Sequence, residues 1–182
     1  MELAAQIIGI FGTVTAILSF QCRSSKRLFL MQGLCALFFS IHFGMLGAMT
    51  GLIQNLFAIL RAALLRTDRK WAQSKWIPCA FSVVFLMTAV VFYDGFFSLL
   101  PPVAMIVSTF VMWTKNGKFI RLAQLGCVSP FWMIYNISVH SISGCITEGF
   151  NIMSILISIL RYGINGFDHD GGLSLNPKHT RM

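Results

Sequence analysis

The chain has 182 residues, 56% of them hydrophobic and only 11% charged, with a net charge of +8. That balance excludes an ordinary soluble domain and fits a chain that crosses a bilayer several times. It also argues against nucleic acid as a partner, because the fourteen Lys and Arg residues lie between apolar stretches and form no single patch.

Seven apolar segments follow in order, at about 5–21, 28–46, 50–65, 76–93, 98–114, 119–138 and 142–164. Each comes near the length a helix needs to cross hydrocarbon, and the shorter ones can rely on snorkelling rims. The first follows Glu2 with no basic run before it, which reads as a span and not as a cleaved leader. Arg23, Lys26 and Arg27 separate the first two segments. Arg61, Arg66, Arg69, Lys70 and Lys75 gather where the third meets the fourth, and Lys115, Lys118 and Arg121 lie between the fifth and sixth. Arg161, Lys178 and Arg181 end the chain, while the short connections near 47–49, 94–97 and 139–141 carry no Lys or Arg. The positive-inside rule then places the N-terminus outside and the C-terminus in the cytoplasm. The predicted fold class is an all-α membrane protein with seven transmembrane helices.

Within this order the fourth segment, Trp76 to Tyr93, is nearly featureless, as a lipid-facing linker helix would be. Pro101 and Pro102 predict the start of the fifth helix. Pro130 falls inside the sixth, where a missing N–H predicts a kink and a hinge. Arg61 and Arg161 read as snorkelling anchors at helix ends. The five cysteines, Cys22, Cys35, Cys79, Cys127 and Cys145, show no ligand spacing and read as small apolar fillers with no disulfide.

The seventh segment carries the clearest pattern. Gly144, Thr147, Glu148, Asn151, Ser154, Ser158, Arg161 and Asn165 recur every three or four residues, which makes one stripe of a helix. Ile142, Ile146, Phe150, Ile152, Ile157 and Leu160 fall on the other faces. A carboxylate deep in a bilayer costs at least about 2.5–3.5 kcal/mol, so Glu148 is expected to face the bundle interior and to mark a functional site.

A shift of 93 residues aligns Val14 with Val107, Gly33 with Gly126, Phe38 with Phe131, Ile41 with Ile134, Gly51 with Gly144 and Phe57 with Phe150. Both aligned units have a basic first loop and an uncharged second one. The expected organisation is a first three-helix repeat over 1–66, a basic loop and linker helix over 67–97, a second repeat over 98–165 and a solvated cytoplasmic tail over 166–182. An odd number of spans per repeat requires the linker helix if both units are to point the same way.

This 3+1+3 plan resembles the SWEET sugar facilitators and their half-size bacterial relatives. A second resemblance rests on Ser19-Phe20, Gln32, His42-Phe43, Asn55 and Leu60-Arg61 in the first half. In the second half it rests on Ile106-Val107-Ser108-Thr109, Trp132-Met133-Ile134-Tyr135-Asn136, Ser141-Ile142-Ser143-Gly144 and Glu148-Gly149. With these residues nearly the whole chain resembles the YgjV family of bacterial inner-membrane proteins. The resemblance implies a multi-pass protein of the bacterial inner membrane. From the SWEET-like plan it implies that an aromatic on the second helix of each unit and a polar residue on the third flank a ligand. Phe39 with Asn55, and Trp132 with Glu148, are the matching pairs, each sixteen residues apart. SWEET-like hinge prolines have one counterpart here, Pro130, because position 37 is Leu.

His42, aligned with Tyr135, could bond a ligand near the outer end of the second span, and Asn151 continues the polar stripe. The expected ligand-binding set is therefore Phe39, His42, Asn55, Trp132, Tyr135, Glu148 and Asn151, with rocking of the units about Pro130 and the Gly33 and Gly126 contacts. No nucleophile–base pair, phosphate loop or haem motif is present, so neither enzymatic activity nor a cofactor is expected. Asp168-His169-Asp170 has no spacing that specifies a metal, and none is expected. The seventh span has no lysine, which argues against a retinal Schiff base. The expected partners are the lipid bilayer, a small-molecule ligand and a second copy of the chain. The two function classes left are a transporter or facilitator of a small polar metabolite, and a non-transporting scaffold or receptor subunit.

Overall fold

The computed structural model describes residues 2–19, 25–67, 69–114 and 116–162. Its helices are α1 (Glu2–Ser19), α2 (Ser25–Met45), α3 (Met49–Arg66), α4 (Trp76–Val91), α5 (Leu100–Thr114), α6 (Gly117–Ala123), α7 (Ser129–Ser138) and α8 (Ile142–Tyr162). A π turn, Gln124–Val128, carries α6 into α7 without a break. Seven helical rods therefore stand where the seven apolar segments were read. Among the described residues four stretches, Glu2–Ser19, Arg27–Met45, Phe96–Thr114 and Ile142–Leu160, are long and apolar enough to cross a membrane, and Trp76–Val91 is apolar but shorter. Cys22, Arg23, Lys115, the tail 166–182 and its Asp168-His169-Asp170 cluster lie outside the described residues.

The rods close a ring. α1 packs on α2, α2 on α3, α3 on α5, α5 on α7, α7 on α8, and α8 back on α1. α4 stands outside it against α5 and α3. It turns Phe81 and Phe85 inward and leaves Val83, Leu86, Met87, Val90 and Val91 exposed. So broad an apolar exterior would be an association hazard in water and matches lipid as a solvent. The helix is not featureless, however. Buried Gln54 donates from Nε2 to Thr88 Oγ1 at 2.7 Å, and Thr50 Oγ1 donates to the Phe92 carbonyl at 2.9 Å. These polar contacts pin α4 to α3.

The α2–α3 and α7–α8 turns are built alike. Leu46 N–H donates to His42 O and Ala48 N–H to Phe43 O; Val139 N–H donates to Tyr135 O and Ser141 N–H to Asn136 O. Each turn holds one left-handed residue, Gly47 at φ 73° and His140 at φ 55°. One turn further on, Gly51 and Gly144 let the outgoing helix lie close to the incoming one. A Cβ on Gly51 would come within 2.8 Å of the Phe43 ring, and one on Gly144 would overlap the Asn136 side chain on α7. The left-handed region costs a side-chain-bearing residue about 1–2 kcal/mol. Gly47→Ala is therefore expected to lower stability by about 1 kcal/mol and His140→Gly to raise it by a similar amount, read as opposite shifts in melting temperature in detergent.

Pro130 lies in the first turn of α7, directly after the π turn. The Ser129 N–H reaches back five residues to Gln124 O. A proline in a regular helix would lose one such bond and press its ring on the carbonyl four residues earlier. The wider π turn relieves that conflict, so the helical rod continues through Pro130. Gly33 faces Ala62 on α3, in its own half of the chain, and Gly126 has nothing within 4 Å of its Cβ position. Neither forms the contact between halves that the sequence reading assigned to it.

Candidate functional site: a polar cavity inside the ring

The six ring rods enclose a cavity of about 400 Å³, within the usual range for a small-molecule site. It reaches the end of the bundle where the basic loops lie, at Ser19, Leu28, Leu65, Met112 and Ile120. α8 supplies its polar wall. Gly144, Thr147, Glu148, Asn151, Ser154 and Ser158 all line it. Ile142, Ile146, Ile157 and Leu160 are 55–86% exposed on the other side of the same helix. The amphipathic register of α8 produces this division, because residues three and four apart share a face.

Phe39 on α2, Asn55 on α3, Trp132 on α7, and Glu148 and Asn151 on α8 line this one cavity. Asn55 Nδ2 donates back to Gly51 O at 2.9 Å, which leaves its carbonyl oxygen uncommitted among the described residues. Glu148 Oε2 accepts from Ser129 Oγ at 2.6 Å and from Asn151 Nδ2 at 3.2 Å. Ser129 Oγ in turn accepts from Gln124 Nε2 at 2.9 Å. One carboxylate oxygen is thus held by a short chain of donors, while Oε1 takes no bond from the described residues. Ser129 and Gln124 escaped the sequence reading, since serine and glutamine in a helix carry no signal until their neighbours are known.

The second charged group is a correction. Arg61 reads from sequence as a snorkelling anchor, yet its side chain is only 9% exposed and lines the cavity. Its Nη1 donates to Ser108 Oγ at 3.1 Å and Thr109 Oγ1 at 3.0 Å, both on α5. The signal was available: a charge five residues inside an apolar segment is what marked Glu148 too. The side chain of Arg161 lies outside the described residues.

At the end away from the basic loops the cavity is floored by aromatic rings. Phe43 is 2% exposed, with ring centroids 5.9 Å from Phe39, 5.9 Å from Trp132 and 5.8 Å from Tyr135. Tyr135 does not line the cavity. Its hydroxyl accepts from Gly51 N–H at 2.9 Å, and the residue borders a separate pocket with Thr50 and Asp94.

His42 does not line the cavity either. It is fully buried in a junction of α1, α2 and α8. Nδ1 lies 2.7 Å from the Ala5 carbonyl. A carbonyl can only accept, so Nδ1 carries the proton and Nε2 is free to accept from Ser141 Oγ at 2.7 Å. Beside it, Thr13 Oγ1 and Thr147 Oγ1 lie 2.8 Å apart, and Gln6 Nε2 donates to His140 O at 2.9 Å. These bonds stitch α1 and α2 to α8. The junction needs Gly9, where a Cβ would overlap the Ser143 hydroxyl and come within 2.9 Å of His42 Nδ1.

No cluster of His, Cys, Asp and Glu that could hold a metal occurs among the described residues. A family profile with the description bacterial inner membrane protein, Imp-YgjV, matches residues 3–165. No curated protein and no solved structure matches the chain.

Proposed function

From the premise that this chain belongs to the Imp-YgjV family of bacterial inner membrane proteins, we propose that it carries a small polar metabolite across that membrane. One observation carries the reading: a ligand-sized cavity with a polar wall, floored by buried rings at one end and reaching the basic end at the other. The positive-inside rule puts the basic end in the cytoplasm, so this is the inward-facing state.

The two like turns, with left-handed residues 93 positions apart, support a reading as two three-helix units in the same orientation. Parallel repeats with a site between them near mid-membrane are one plan for alternating access. α4 is the linker between the units. The π turn beside Pro130 is the place where one rod could bend as the units rock. Phe39 and Trp132 give the ligand apolar faces, and Asn55, Asn151 and Glu148 give it hydrogen bonds.

Ser154 tests the path. In a cysteine-free background, Ser154→Cys is expected to react with a membrane-impermeant thiol reagent from the cytoplasmic side at rest, and from both sides during turnover. Labelling from neither side would mean that the polar stripe is filled by packing. The protein would then be a scaffold or receptor subunit.

A further inference from the structure

We infer that the cavity holds a small organic anion by its carboxylate or phosphate at Arg61, and that the same ligand donates a hydrogen bond, from a hydroxyl or ammonium, to Glu148. This deepens the transport reading and rests on its cavity. Arg61 is more than nine-tenths buried, and no carboxylate among the described residues lies within ion-pair distance of it. The described carboxylates are Glu2, in the first turn of α1, Asp94, beyond the end of α4, and Glu148, which is bonded to Ser129 and Asn151.

A guanidinium has five N–H donors in a rigid fork. The two hydroxyls of Ser108 and Thr109 engage Nη1 alone and bring no negative charge. Nε and Nη2 make no hydrogen bond to the described residues. A buried cation without a counter-charge is costly, and a bidentate carboxylate or phosphate is the partner its fork matches best. The two hydroxyls also hold the fork in one orientation, which lessens the ordering a ligand must impose.

The remainder of the wall sets the rest of the ligand. Arg61 stands six residues nearer the basic end than Asn55, about 9 Å along α3. Glu148, across the cavity on α8, presents Oε1, which takes a donor's hydrogen bond when the carboxyl is ionised. A ligand spanning these two points carries an anionic group at one end and a donor at the other, and Phe39 and Trp132 flank its carbon skeleton. Neutral sugars leave Arg61 without a counter-charge.

The anionic group could belong to a soluble metabolite or to a lipid headgroup, and protection of Arg61 from an arginine reagent separates the two. The full chain in phosphatidylcholine nanodiscs is treated with phenylglyoxal, and modification at Arg61 is followed by peptide mass spectrometry. Acetate, lactate, glycine, inorganic phosphate and glycerol 3-phosphate are the probes, at constant chloride. Protection at Arg61 is expected, with lactate at least tenfold more effective than acetate because it adds a donor for Glu148. Glu148→Gln, whose amide oxygen accepts more weakly, should shrink that difference, and Glu148→Leu, which removes the acceptor, should erase it. Arg61→Lys should weaken binding of the best probe, measured by calorimetry, about tenfold, since the charge stays and the fork is lost.

Protection that appears only in nanodiscs containing phosphatidylglycerol assigns the group to lipid and overturns the soluble ligand. Absence of protection by every probe and every lipid overturns the anion site, as does equal binding to wild type and Arg61→Gln. The Ser154→Cys labelling is read without any anion. A reactive Ser154→Cys with an unprotected Arg61 rejects the anion and keeps the path, whereas an unreactive one rejects the path itself.

Discussion

His42→Ala is expected to destabilise the protein by about 2–4 kcal/mol and to loosen the end of the ring away from the basic loops. The imidazole makes two bonds of 2.7 Å, one to the Ala5 carbonyl on α1 and one to Ser141 in the α7–α8 turn. Interhelical hydrogen bonds in membrane proteins contribute about 0.6 kcal/mol on average and up to about 1.7. Alanine loses both and also leaves a void among fully buried groups, including the Phe43 ring at a centroid distance of 5.1 Å. The change is read as a lower melting temperature in detergent. A reagent added from outside should also label Ser154→Cys faster in this background. Unchanged melting would show that the junction does not hold the units together. A loss confined to ligand binding would return His42 to the role first read for it from sequence.

Trp132→Ala should have the second large effect. The indole is 9% exposed, stacks on Phe43 at 5.9 Å and meets Tyr135 edge-on at 5.9 Å. Truncating a buried Trp costs about 3–5 kcal/mol where the surroundings cannot collapse. The open cavity on one side of this ring puts the expected loss at the lower end, about 3 kcal/mol. The change also removes part of the floor between the cavity and the end away from the basic loops. Ser154→Cys should then react from both sides of the membrane without turnover. Trp132→Phe keeps a ring against Phe43 and should recover most of the stability and the one-sided labelling. Two-sided labelling in the wild type at rest would place the closure elsewhere than at these rings.

Both predictions turn on residues whose roles the sequence displayed unequally. The stripe on α8 was legible because a bilayer penalises polar groups, so their recurrence every three or four residues has one economical meaning. It faces the cavity along its whole described length. Arg61 carried the same warning and was assigned to the rim, because long basic side chains near helix ends commonly snorkel. Ser108 and Thr109 on α5 hold it inside instead. Pro130 predicts a kink because a proline removes one helical bond. The π turn directly before it is a feature that sequence periodicity does not show.

Phe39 and His42 mark the limit most sharply. They lie three residues apart on one face of α2, and their rings are 5.7 Å apart. One lines the cavity and the other is sealed beneath its floor. The sequence by itself determined the number of rods, the end that carries the basic loops and the face of α8 that is polar. Each of these follows from what hydrocarbon excludes, residue by residue along a single helix. Only the tertiary structure decided which rods meet and at what height the ring closes. Helical periodicity orders side chains about their own axis and says nothing about which neighbour will stand against them.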